Sequence, residues 1–243
     1  MNQENKQDAP VVLVTGAAKR IGAVIAQYLH KAGFRVVVHC HQSQAAAKNL
    51  TDAMNQLRSD SATLLTADLC RPDLAVQLIT DTLNWAGRLD LLVNNASLFT
   101  RNEADWDAMF TLNVKAPFVL SNAAFPHLAK TQGSIINITD IHADKPLKDY
   151  AIYCQSKAAL KMQTKALARE FAPNVRVNAV APGAIMWPEK GNQLSEKQQQ
   201  AIINKTLLKR HGNPLYIAQA VLALTNNVYI TGQTVRVDGG RGL

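Results

Sequence analysis

Short apolar runs alternate with longer helix-like stretches from Val11 onward, and the runs themselves are apolar at nearly every position. Val11-Val12-Leu13-Val14 and Leu91-Leu92-Val93 have this character throughout, and Phe34–His39, Ser134–Ile138 and Val175–Val180 share it with two polar residues each. A strand with one face in water shows polar residues at every second place, so continuous apolar strands must be covered on both faces. Between them lie Ile21–Ala32, closed by Gly33, and Ser43–Arg58, an Ala-rich stretch opened by a serine in cap position. Pro72–Ala86, closed by Gly87, and a long segment near Tyr150–Phe171 complete the helix-like set. Ala62–Thr66 and Thr234–Val237 read as two further strands. The alternation predicts an α/β fold: one doubly wound parallel sheet with helices on both faces.

The 243 residues are 47% hydrophobic and 18% charged, enough apolar material for one large core and too little charge for a disordered chain. No repeat, low-complexity tract or Pro/Gly-rich linker divides the chain, so residues 11–243 are expected to form a single domain. Residues 1–10 are polar, lack the apolar stretch of a signal peptide, and are expected to be flexible. The polar, Gln-rich segment Pro188–Arg210 reads as an inserted loop and helix, a lid near residues 187–210. No apolar window approaches the roughly 18 residues of a membrane span, so no membrane partner is expected. Cys40, Cys70 and Cys154 are too few and too scattered for a disulfide framework or a zinc site; no metal and a cytoplasmic home are expected. The net charge of +8 would suggest nucleic acid if spread along the chain. Residues 1–121 balance 11 Lys/Arg against 11 Asp/Glu, while residues 122–243 hold 15 against 7, so all the excess lies in the second half.

The first strand runs directly into Thr15-Gly16-Ala17-Ala18-Lys19-Arg20-Ile21-Gly22. Small residues between a strand and a helix N-terminus let backbone N–H groups and the helix dipole face a phosphate, and Lys19 and Arg20 add positive charge there. The second strand ends in His39-Cys40-His41-Gln42-Ser43, and the next acidic residue after it is Asp52. NAD-binding folds place Asp or Glu at that strand end for the ribose 2′-hydroxyl, so donors from His39, His41, Gln42 and Ser43 favour the 2′-phosphate of NADP(H). Tyr153 and Lys157 stand at i and i+4, on one helix face, where an ammonium favours the phenolate and lets a tyrosine exchange a proton near neutral pH.

Together with Asp68-Leu69, Asn94-Asn95-Ala96, Asn113, Pro182-Gly183 and Val237-Asp238-Gly239-Gly240, these landmarks resemble the short-chain dehydrogenase/reductase family over residues 11–240. The resemblance implies a Rossmann-type fold and a homotetramer. It implies that Gly16, Lys19, Arg20 and Ile21 hold the cofactor with Ala96, Ser97, Thr139, Pro182 and Gly183. It further implies that Asp68 and Leu69 hold the adenine, that Asn95 lies beside the cofactor, and that Lys157 binds the nicotinamide ribose. Tyr153 would be the proton donor, and Asn113 would hold a water of the proton relay.

Two positions depart from the general family pattern. Arg20 stands where most members carry Gly, and Asp140, 13 residues before Tyr153, stands where most carry Ser. A Ser hydroxyl can donate to a carbonyl oxygen; an ionised carboxylate only accepts, so it repels an oxyanion and suits a substrate with N–H edges. The turn, the His39–Ser43 segment, Asn94–Phe99 and Asp140 are similar to the pteridine reductases and bacterial dihydromonapterin reductases. That resemblance implies NADPH-dependent reduction of a dihydropterin (dihydromonapterin, dihydrobiopterin or dihydrofolate) to its tetrahydro form. Phe99 would stack on the pterin, Ser97 and Arg20 would bond the pterin or the cofactor phosphates, and Asp140 would work with Tyr153. Gln42 replaces an Arg carried by many of these enzymes, which implies weaker NADPH affinity. Two alternatives remain open: carbonyl reduction, as in a 3-oxoacyl-carrier-protein reductase, and a non-catalytic NADP sensor or nucleic-acid-binding module. The intact Asn113, Tyr153 and Lys157 favour an enzyme with a small pterin or folate partner and no nucleic acid.

Overall fold

The first strand, β1 (Val11–Val14), sends Val12 and Val14 into one core and Val11 and Leu13 into another, and none of the four keeps accessible surface. Burial on both faces is why the strand is apolar throughout; each such side chain contributes about 1.5–3 kcal/mol. The computed structural model describes residues 9–188 and 193–243. Among these, β2 (Arg35–Cys40), β3 (Ala62–Thr66), β4 (Leu91–Asn94), β5 (Ser134–Ile138), β6 (Arg176–Pro182) and β7 (Thr234–Val237) join β1. They form one parallel sheet in the order β3-β2-β1-β4-β5-β6-β7.

The helices are α1 (Arg20–Lys31), α2 (Gln44–Leu57), α3 (Pro72–Ala86), α4 (Trp106–Phe110), α5 (Ala116–Thr131), α6 (Ala151–Glu170), α7 (Glu196–Asn204) and α8 (Pro214–Asn226). Ile25, Leu29, Leu50, Met54 and Val221 of α1, α2 and α8 cover one face. Leu78, Ile79, Leu120, Leu128 and Leu167 of α3, α5 and α6 cover the other. The winding reverses between β1 and β4, with α1 after β1 packed on one face of the sheet and α5 after β4 on the other, and open α/β sheets take ligands in the crevice at such a point. The single domain and its doubly wound sheet agree with the sequence reading. Among the described residues no helix is long and apolar enough to cross a membrane.

Several local expectations change. The sequence reading assigns no helix between Asn95 and Gly133, yet α4, a π turn at Thr111–Lys115 and α5 run on without a break. Pro117 and Pro126 read as breakers there, and buried apolar residues lie around much of α5, so no clean helical period shows. Ser43 occupies the N-cap position of α2, but its side chain makes no cap bond. Pro10 is tied down, its carbonyl accepting the Arg35 N–H at 2.8 Å. Of the segment 1–10 expected to be flexible, residues 1–8 lie outside the described residues, as do residues 189–192 of the expected lid.

Candidate active site

The crevice begins with a weld between β1 and β4. Thr15 Oγ accepts the backbone N–H groups of Asn95 and Ala96 at 2.9 and 3.0 Å and donates to the Val93 carbonyl. The Asn95 amide donates back to the carbonyls of Thr15 and Gly16 at 2.8 and 3.1 Å. Gly16 has φ +62°, and a Cβ there would lie 2.9 Å from Ala96 Cα, so the turn needs glycine in both conformation and space. Lys19 follows as the N-cap of α1, whose first turn carries no acid. Arg20 adopts φ 57°, the region in which glycine is at ease, so its side chain is retained at a conformational cost of about 1–2 kcal/mol. Its guanidinium donates to the Trp187 carbonyl at 3.0 Å, which links the turn to the lid segment.

His39 corrects the sequence reading. The Gly16 N–H donates to its Nδ1 at 3.1 Å, so Nε2 carries the proton, 3.1 Å from the Ala67 carbonyl. Burial lowers its pKa to about 4, and the ring is neutral. With both nitrogens engaged, His39 braces the turn and offers no donor to a phosphate. His41, Gln42 and Ser43 stand on the cleft wall beyond it, with Lys19 and Arg20 on the same cleft.

At the other end of the cleft, Tyr153 Oη donates to Asp140 Oδ2 at 2.8 Å, while Asp140 Oδ1 accepts the His142 N–H at 2.8 Å. Asp140 is thus both the cap of the short turn Ile141–Ala143 and the acceptor of the phenol. Burial, followed by the Asp140 carboxylate, raises the Tyr153 pKa well above its ordinary value. Lys157 lies with its Nζ 5.8 Å from the Tyr153 ring centroid and donates to the Ile138 carbonyl at 3.0 Å. Burial brings its pKa down to about 8 despite Asp140. Burial and the Asp140 carboxylate thus move the Tyr153 pKa in the direction opposite to that expected from the Lys157 ammonium and favour the protonated phenol, which is the form a proton donor needs.

Every candidate residue except Asn113 lines one cavity of about 770 Å³. Asn113, in the π turn, is fully buried: its Oδ1 accepts the Leu98 N–H at 2.8 Å, and its amide donates to the Leu98 carbonyl and Ser156 Oγ, both at 3.0 Å. Its side chain ties the loop of Ser97 and Phe99 to the helix of Tyr153. Phe99 stacks on Tyr150 with centroids 4.4 Å apart and meets Tyr153 edge-on at 4.7 Å. Gly183 follows β6 where a Cβ would lie 2.6 Å from Asp238 Cβ, which lets the segment after β7 close against the site. From the lid segment Trp187, Pro188, Leu194 and Ile202 reach the cleft. Sequence reasoning missed Tyr150, Arg101, His142, Lys148 and Arg241, which also line it. Of these only Arg241 has a local signal, since it directly follows the Val237–Gly240 landmark.

The cradle fits a dinucleotide: a glycine turn without room for a side chain, a helix N-terminus flanked by cations, and no acid at the end of β2. A family model described as enoyl-(acyl carrier protein) reductase matches residues 16–241. A 3-oxoacyl-[acyl-carrier-protein] reductase of Rickettsia prowazekii is 37% identical, with 94% of this chain and 95% of the relative aligned. Glucose 1-dehydrogenase 2 of Bacillus subtilis is 32% identical, over 95% and 94% of the two chains. Pteridine reductase 1 of Leishmania tarentolae is also 32% identical, over 97% of each. The narrower likeness to pteridine reductases is thus met at lower identity than that to 3-oxoacyl reductases. With the sheet order, the glycine turn and Tyr153 beside Lys157 all in one cleft, this chain belongs to the short-chain dehydrogenase/reductase family and is an oxidoreductase of that kind.

Proposed function

We propose that the protein reduces the C=N bond of a dihydropterin to the tetrahydro form, with NADPH as reductant. The observation that carries this reading is the 2.8 Å bond from the Tyr153 hydroxyl to the Asp140 carboxylate. A carboxylate beside the proton donor has no hydrogen to give a ketone oxygen and would repel the developing alkoxide. A pterin presents amino and ring N–H groups that such a carboxylate accepts.

When bound, the reduced nicotinamide supplies the hydride. The turn at Gly16–Ile21, with Asp68, Leu69, Asn95, Ala96, Thr139, Pro182 and Gly183, binds the cofactor, and Lys157 orients its ribose. Lys19, His41, Gln42 and Ser43 take the 2′-phosphate. Tyr153 holds a proton at its Oη for the substrate nitrogen. Lys157 then offsets the second negative charge that arises beside Asp140 when the phenol gives its proton up. Phe99, Ser97 and Arg20 form the pterin side of the cleft. Trp187, Pro188, Leu194 and Ile202 close it and exclude water. The free thiols of Cys40, Cys70 and Cys154 fit a reducing cytoplasm.

Purified protein is expected to oxidise NADPH with dihydromonapterin, dihydrobiopterin or dihydrofolate, and Tyr153→Phe is expected to lose about 10²–10⁴ in kcat. No turnover of any of the three by the wild type overturns the reading. Full activity in Tyr153→Phe removes the proton donor. A second reading, reduction of a 3-oxoacyl thioester, is favoured by the higher identity of the Rickettsia relative. Under it the wild type reduces the thioester, whereas under the pterin reading that activity emerges only in Asp140→Ser.

A further inference from the structure

The segment that follows β7 folds against the cleft, curled by its own Asp238 and tied to the backbone at Leu208 and to the Lys145 side chain. The Asp238 carboxylate accepts the N–H groups of Gly240 and Gly242 at 2.9 and 2.6 Å, which curls residues 238–242 into a compact turn. The Leu208 N–H donates to the Gly239 carbonyl at 3.2 Å. Lys145, from the loop that Asp140 opens, donates through Nζ to the carbonyls of Arg241 and Leu243 at 2.9 and 3.1 Å. The arm is thus fastened to the same loop that carries Asp140.

These ties place the Arg241 side chain on the wall of the cleft that Asp140, Tyr153 and Phe99 also line. The guanidinium is about half buried, and burial lowers its pKa while the carboxylates of Asp140 and Asp238 oppose the shift. Among the described residues it makes no hydrogen bond or ion pair. A half-buried cation with five N–H donors and no acceptor is costly to hold against a cleft unless something there accepts those bonds. Asp140 beside it is an acceptor without donors, already holding Tyr153 and His142. One wall therefore offers a held acceptor and a donor fork within electrostatic reach of each other.

We propose that Arg241 is a specificity-determining residue that hydrogen-bonds an oxygen-bearing edge of the substrate, with the arm 238–243 serving to aim it. The assignment rests on the pterin reading for its ligand: a pterin edge carries a ring carbonyl oxygen next to N–H groups, and the pair Arg241 and Asp140 complements that order. A ring with an amino group in place of the carbonyl would set donor against donor at Arg241.

Steady-state kinetics of wild type, Arg241→Ala, Arg241→Lys and Lys145→Ala test this, with NADPH affinity followed by tryptophan fluorescence. In Arg241→Ala the KM for the dihydropterin is expected to rise about 10- to 100-fold, the range of a lost charge-assisted hydrogen bond. NADPH affinity should stay within about twofold, and Arg241→Lys should recover part of the KM, since it keeps the charge without the fork. A competing 2,4-diamino pteridine should bind Arg241→Ala no more weakly than the wild type, which separates lost recognition from a damaged site. Lys145→Ala, which frees the arm without touching the cleft, should shift KM in the same direction by a smaller factor. An unchanged KM in Arg241→Ala, or an equal loss of dihydropterin, diamino pteridine and NADPH binding, overturns the proposal. If the wild type turns over only a 3-oxoacyl thioester, the pterin reading falls by itself. The variants are then read on the thioester: a KM rise of about tenfold in Arg241→Ala upholds the residue, and an unchanged value removes it.

Discussion

His39 shows how one residue type can change role once its surroundings are known. Beside His41, Gln42 and Ser43 it reads as one more donor at a phosphate site, but its two ring nitrogens join β1 to the end of β3. Its folded pKa of about 4 lies below the ordinary 6.5. Between these values the unfolded chain binds a proton that the native protein does not, so stability falls as pH drops from about 6.5 toward 4 and is fully retained above 6.5. The loss expected is about 3 kcal/mol, and urea midpoints measured across that window should follow it. A His39→Asn variant should start less stable and show a shallower slope, the remainder coming from His30 and His211, whose pKa values burial also lowers; an unchanged slope would place the acid sensitivity elsewhere. Asp140 changes in the same way. Its carboxylate gives one oxygen to the cap of residues 141–143 and the other to the phenol.

At the scale of elements, the continuous run of α4, the π turn and α5 does the most to shape the site. The π turn swings Asn113 inward, where its amide holds the Leu98 backbone and Ser156 at once. Replacing Asn113 by Ala strands buried polar groups on both elements and is expected to cost about 2–3 kcal/mol in stability. Because those elements carry Phe99 and Tyr153, kcat should fall while NADPH affinity stays close to that of the wild type. A variant with unchanged melting temperature and kcat would show that the tie is dispensable. The strands and the first three helices were legible to within a residue or two, because two-sided burial and Gly or Pro punctuation mark them locally. The π turn has no such mark: it is set by what Asn113 can reach across the fold. In α7 the capping box of Ser195 and Gln198 fixes the helix expected within the lid segment.

For the whole molecule, the +8 charge takes on a location. Lys148 and Arg241, both from the basic second half, join Lys19, Arg20 and Arg101 around the cleft, against Asp68 and Asp140. A cleft of this sign raises the local concentration of anionic ligands, an effect that salt screens over about 8–10 Å. Exposed apolar side chains point to self-association: Phe118 on α5 and Met162 on α6 are 47% and 63% exposed, and Tyr229 before β7 is 99% exposed. We propose a homotetramer, expected in light scattering as a mass near four times 26.5 kDa. Phe118→Glu combined with Met162→Glu should yield smaller species, and a wild-type monomer at micromolar concentration would sink the proposal.

The order of amino acids alone sets the sheet, its parallel sense, the nucleotide turn, and the phenol and ammonium at Tyr153 and Lys157, whereas Asp140 stands out only against the family pattern. Each of these follows from residues close together in the chain: periodicity, punctuation, and spacing on one helix face. Packing in three dimensions raises the Tyr153 pKa, makes His39 a brace and brings Arg241 to the cleft. Those outcomes depend on burial and on charges brought together from distant segments, and electrostatic energy is governed by distance through space rather than along the chain.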